Sequence, residues 1–145
     1  MTQLTEHFAL EELTHSDTAE RDGIDNTPSA DVLPNLQIVA NGLELVRALL
    51  GVPMHLNSGF RCPALNDEVH GVHHSAHEVG FAADFVAPDF GDPLAIVHAI
   101  QASDIQFDQV IQEGTWVHIS FDPGMRRQVL TAHFADGKAT YTAGA

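Results

Sequence analysis

From Val32 onward the apolar residues fall at Leu36, Val39, Leu43, Val46 and Leu50, spaced by three and four. That period lines one face of an α-helix, so the segment predicts a helix with a single buried stripe. Ser29 or Asp31 supplies its start, Pro34 falls in the first turn where a missing N–H costs little, and Gly51 stands where a C-terminal cap belongs. A second helix is predicted from Asp92-Pro93, a cap followed by proline, with Leu94, Val97 and Ile100 turned inward before Ser103. Ahead of both, an apolar patch at Phe8, Leu10 and Leu13 precedes a polar loop over 18–28. Short apolar runs punctuated by Gly, Pro and Asp predict strands at 52–56, 81–86, 107–111 and 116–121, with 128–134 and 140–142 completing the set. Helices early and strands mostly late point to an α+β fold, an antiparallel sheet with flanking helices. No repeat or linker divides the 145 residues, so one domain over 1–145, one core and one active site are expected.

Charge narrows the partners. Twenty Asp and Glu against six Lys and Arg give a net charge of −14, and Lys138 is the sole lysine. Such a surface repels polyanions, which excludes nucleic acid and an anionic membrane as partners. No run of ~18 apolar residues exists for membrane insertion. The start, MTQLTEHFALEEL, lacks a basic region followed by an apolar run. A product made in the cytoplasm without a signal peptide is therefore expected. Cys62 stands alone, which excludes an intramolecular disulfide and a thiolate-rich metal cage.

Histidine changes the picture most. There are ten, and His70, His73, His74 and His77 crowd just before Asp84. One reading puts the four on a single helical face, but Gly71, Val72 and Ser75 oppose a regular helix there. The other reading begins at His77. Gly80 permits a tight turn after it, and in the following strand Asp84 shares a face with Ala82 and Val86 while Phe81, Ala83 and Phe85 face away. In Trp116-Val117-His118-Ile119-Ser120, alternation sets His118 opposite Val117, Ile119 and Phe121. Two imidazoles and a carboxylate on rigid strands suit one zinc ion and leave a fourth position for water. His77-Glu78 is not a helical H-E-x-x-H motif, because its second histidine is absent.

The segment from Ser75 to Asp84 resembles the S-x-H-x-x-G-x-A-x-D signature of the D-alanyl-D-alanine carboxypeptidase (M15) metallopeptidases. Ser58-Gly59-Phe60-Arg61 is similar to that family's S-G-[YF]-R, and Leu65-Asn66 with Val69-His70-Gly71 resembles the stretch between the two motifs. Phrases around Phe8–Leu13, Ser16–Ala19 and Asn26-Thr27-Pro28 look like those of the small phage and phage-like members. The resemblance implies the zinc-peptidase fold shared with the hedgehog signalling domain, with His77, Asp84 and His118 as metal ligands. It further implies that Arg61 binds or polarises the substrate carbonyl, and that Ser75 lies at the substrate edge with Trp116. Many relatives carry the catalytic acid as E-x-W-H, but that position is Thr115 here. The small members place a Glu near W-V-H-[IV]-S, which matches Glu113, with Asp108 as the second candidate.

These parts fit amide hydrolysis, with a zinc-activated water, a carboxylate to move its proton and Arg61 to stabilise the oxyanion. The expected substrate is the stem peptide of bacterial peptidoglycan, cut by a monomer as carboxypeptidase or endopeptidase. The expected place of action is the cell wall, reached after release or as part of a virion, as an endolysin-like enzyme would. The alternative is a catalytically silent, zinc-stabilised binding module such as a phage tail component. The position of Glu113 relative to the ligands discriminates the two.

Overall fold

The computed structural model describes residues 2–145. Two short helices, α1 (Leu10–Thr14) and α2 (Asp17–Asp22), lead into the long α3 (Leu33–Leu50). Strand β1 (His55–Ser58) and helix α4 (Pro63–Glu68) follow, and a 3-10 turn at Ala76–Val79 precedes β2 (Ala82–Val86). Helix α5 (Pro93–Ala102) then leads to β3 (Gln109–Gln112), β4 (Val117–Ser120), β5 (Gln128–Ala135) and β6 (Lys138–Ala143). The α+β class and both long helices match the sequence reading. Helix α3 begins at Leu33 instead of at Ser29 or Asp31, because Val32 occupies the cap position and Ser29 forms a turn before it.

Part of the expected 18–28 loop is helical. Ser16 caps α2, its Oγ accepting from the Ala19 N–H, and Gly23 closes the helix at φ +69°. With only Ala19 buried, this helix has no apolar period to betray it.

The six strands form one sheet in the order β1-β2-β4-β3-β5-β6. All pairings are antiparallel except β3 with β5, which run parallel, so the sheet is mostly antiparallel, in line with the expected fold class. The crossover between β4 and β5 explains the change in direction. The Arg126 guanidinium donates from Nε to Asp108 Oδ1 at 2.9 Å and from an NH2 nitrogen to Oδ2 at 2.8 Å, while the Arg127 and Gln128 N–H groups donate to the Phe107 and Asp108 carbonyls. The chain is thereby turned back beside β3.

The sheet separates core from site. On one face Ala83, Phe85, Val110, Val117 and Ile119 pack with the α3 stripe and with Ile96, Val97 and Ile100 of α5. Burying each large side chain contributes about 1.5–3 kcal/mol. Gly42 lets α3 approach the Phe121 ring, which any Cβ at that position would strike. The interposed residues Asp84, Ile111 and His118 face the other side, where the cleft lies.

Candidate active site

Asp84 and His118 are directly opposed in the β2–β4 ladder. This register brings His118 Nδ1 to 3.1 Å from Asp84 Oδ1. His77 arrives from the 3-10 turn, which ends at Gly80 with φ +79°. Its Nε2 lies 3.1 Å from the same carboxylate oxygen and 3.2 Å from His118 Nδ1. All three residues are buried.

The backbone holds this arrangement from behind. His77 Nδ1 donates to the Gly59 carbonyl at 2.7 Å, and the Arg61 N–H donates to the His77 carbonyl at 3.1 Å. A Cβ on Gly59 would run into the Leu13 carbonyl, so this close approach needs glycine. Asn26 clamps the same segment: its Nδ2 donates to the Thr14 and Phe60 carbonyls and its Oδ1 accepts from the Cys62 N–H. The SGFR phrase, the N-terminal phrase and the histidine thus meet in one framework.

The donor set fits a cation. With the His77 Nδ1 proton committed to Gly59, neutral His77 presents a lone pair at Nε2, toward a carboxylate oxygen and the Nδ1 of His118. His118 Nδ1 and Asp84 Oδ1 complete the group, three potential ligand atoms within 3.1–3.2 Å of one another. Tetrahedral zinc at about 2.0–2.1 Å from each donor would set neighbouring donors about 3.3 Å apart, close to the spacings found. Burial opposes ionisation of Asp84, yet the positive charge of the two imidazoles when they are protonated, with their hydrogen bonds, holds its carboxyl far below the usual range. A buried, ionised carboxylate with two imidazoles is the chemistry a divalent metal selects.

Glu113, at the end of β3, approaches the same point, its Oε1 3.8 Å from His118 Nδ1. Burial and the Asp84 charge push its carboxyl up to about 7. It is therefore a carboxyl able to exchange a proton near neutrality. Asp108 lies elsewhere. It is buried in the bidentate pair with Arg126, which holds its carboxyl below the ordinary range, and it does not line the cleft.

A cleft of about 490 Å3 opens over the three donors. Arg61, Ser75 and Trp116 all line it, and each keeps a buried polar atom without a protein partner: Arg61 Nε, Ser75 Oγ and Trp116 Nε1. Burial lowers the Arg61 guanidinium from its ordinary value, opposed by the charges of Asp84 and Glu113. Unpaired buried donors are costly, and a bound polar ligand would satisfy them.

The four-histidine helical face does not form. Residues 71–75 are turns and coil, with His70 and His74 at φ +58° and +59°. His70 lines the cleft, whereas His73 and His74 are exposed beside each other. His7, His15, His98 and His133 form hydrogen bonds away from the donors. The sequence reading missed the wall formed by β5 and β6, where Phe134 and Tyr141 line the cleft. Alternation of Leu130, Ala132 and Phe134 was the available signal, but only the long-range pairing shows which face meets the site.

Comparison with known proteins bears on what this arrangement does. The family described as Peptidase M15 matches residues 6–120, a stretch that includes all three donors, Arg61 and Glu113. No curated protein matches the chain.

Proposed function

The chain belongs to the peptidase M15 family, a family of metallopeptidases, and from that premise we propose that it hydrolyses a peptide bond in the stem peptide of bacterial peptidoglycan with the aid of one zinc ion. The observation that carries the reading is the convergence of His77, Asp84 and His118, with a near-neutral carboxyl at Glu113 3.8 Å from the last of them. A silent binding module has no need of that carboxyl, and this favours the enzyme.

His77, Asp84 and His118 would hold the zinc, which when bound acidifies a water toward pKa ~7 and polarises the scissile carbonyl. The Gly59 carbonyl fixes the His77 tautomer and keeps Nε2 free for its task. Glu113 takes the proton of the attacking water and passes it to the departing amine. Arg61 directs its guanidinium to the carbonyl oxygen, where negative charge grows as the carbon becomes tetrahedral. Ser75 and Trp116 offer Oγ and Nε1 to the peptide backbone.

Carboxypeptidase and endopeptidase action both fit these roles. The enzyme works as a monomer, since one chain supplies every group named. Its place of action is the cell wall, after release or as part of a virion, in the manner of an endolysin.

The test is mass spectrometry of fragments released from purified peptidoglycan by zinc-loaded protein, with His77→Ala beside it. New peptide termini seen only with the wild type identify the bond. Failure to release any fragment from several wall chemotypes, by protein confirmed to hold zinc, would sink the proposal and favour the binding module.

A further inference from the structure

The β5–β6 hairpin lies beyond the family-matched segment 6–120, and the steps above use none of its residues. Its register decides what it shows the cleft. Leu130 opposes Ala143, Ala132 opposes Tyr141 and Phe134 opposes Ala139, so these six share one face. Leu130, Phe134, Ala139 and Tyr141 of that face line the cleft. On the other face polar side chains pair locally: Thr131 Oγ1 donates to the Gly144 carbonyl at 2.7 Å, and His133 Nε2 lies 2.8 Å from Thr142 Oγ1.

Phe134 and Tyr141 nevertheless stay 56% and 42% exposed. Two large rings held open at a cleft leave apolar area that a ligand can cover. Phe134 stands beside residues that border the proposed reacting groups. The Phe134 ring centre lies 6.2 Å from that of Trp116, and its edge comes within van der Waals reach of a Cβ built on Gly114, the residue after Glu113.

Polar partners are scarce on this wall. On the cleft-side face of the hairpin the hydrogen-bonding side chains are Tyr141 and Gln128, and the Gln128 amide oxygen is taken up by the cleft-lining Gln109, which donates to it at 2.7 Å. A sugar ring brings hydroxyls that need several planar polar side chains. Methyl and methylene groups need none. The cleft volume, about 490 Å3, suits a few residues of peptide better than peptide plus disaccharide.

We propose that Leu130, Phe134 and Tyr141, with Trp116, form a specificity subsite that takes an aliphatic side chain of the peptide beside the bond cleaved. The proposal rests on the peptidoglycan-peptidase reading and adds the part of the stem peptide that the cleft selects. It assigns to the hairpin a recognition task separate from the metal chemistry.

Trp116 is the sole tryptophan, so its emission reports the wall directly. The probe pair is a synthetic stem pentapeptide containing alanine and the same peptide with glycine at each alanine. They are titrated into zinc-loaded Glu113→Gln protein, which prevents turnover, with one zinc per chain verified. The alanine peptide should bind at least about threefold more tightly than the glycine peptide. Phe134→Ala and Tyr141→Ala, each checked for zinc and fold, should weaken the alanine peptide about threefold to tenfold and bring the two peptides within about twofold of each other. Equal binding of both peptides before substitution, or a preference unchanged in the variants, overturns the subsite and leaves the peptidase reading standing if wall peptides are still released by the wild type. Tighter binding of an N-acetylglucosamine tetramer, lost in the same variants, overturns the peptide in favour of the glycan. Absence of both binding and release overturns the subsite and the peptidase reading together.

Discussion

The His77 ring and the Gly59 carbonyl are joined by one 2.7 Å hydrogen bond, and this bond decides which nitrogen of His77 faces the cleft. It also makes Gly59 a double constraint, because the same residue has no room for a Cβ against the Leu13 carbonyl. Gly59→Ala should therefore move the carbonyl that orients the ligand. The expected result is a zinc affinity about 10–100-fold lower in a chelator competition, with a lower melting temperature. Unchanged affinity would show that His77 is oriented by other means.

Metal removal should destabilise the protein. Three potential ligand atoms lie 3.1–3.2 Å apart, and a cation between them would offset the mutual repulsion of their lone pairs. A zinc ion at about 1,000 times its dissociation constant adds about 4 kcal/mol to the folded state. Differential scanning calorimetry with and without a chelator should show the loss. His77→Ala and Asp84→Ala should abolish stoichiometric zinc, and retention of one tightly bound ion in both variants would refute the ligand set.

The donors were legible because strand alternation and one glycine turn suffice to bring His77, Asp84 and His118 to one face. Periodicity likewise exposed α3 and α5, whose buried residues recur at helical spacing. It could not expose α2 or α4, six residues each with one or two buried side chains. Strand direction was hidden for a different reason. The parallel β3–β5 pairing depends on Arg126 meeting Asp108, eighteen positions apart, and alternation carries no record of a partner. The same limit concealed the place of Tyr141 on the cleft wall, a face defined only once β6 pairs with β5.

The raised carboxyl of Glu113 has a signature in stability. Its proton is held more tightly when folded, with a value near 7 against 4.5 ordinarily, so its contribution declines as pH rises through that window. In metal-free protein, Glu113→Gln should match the wild type near pH 4.5 and exceed it above pH 7, by on the order of 3 kcal/mol. Taking the difference between the two proteins isolates Glu113 from other groups. Urea melts from pH 4.5 to 8 measure it, and a constant difference would refute the buried carboxyl. With zinc bound, the same variant should keep its metal and lose about 10²–10⁴-fold in rate.

Asp108 gives the opposite pattern, and the contrast favours Glu113 as the proposed base. Its two oxygens accept from the Arg126 guanidinium at 2.9 and 2.8 Å, and Oδ1 also accepts from the Arg126 N–H. Hydrogen bonding from the guanidinium holds its carboxyl below the ordinary value, so the stability it confers is present above pH 3.8 and is lost as pH falls below it. Asp108→Asn removes the charge-assisted pair that anchors the crossover into β5, and should cost about 1–3 kcal/mol at neutral pH. The penalty should shrink in acid. Turnover per folded, zinc-loaded molecule should stay within about twofold of wild type, because no Asp108 oxygen reaches the cleft. A rate loss as deep as that of Glu113→Gln, with zinc retained, would transfer the proton-moving role to Asp108 and require the Arg126 pair to open during catalysis.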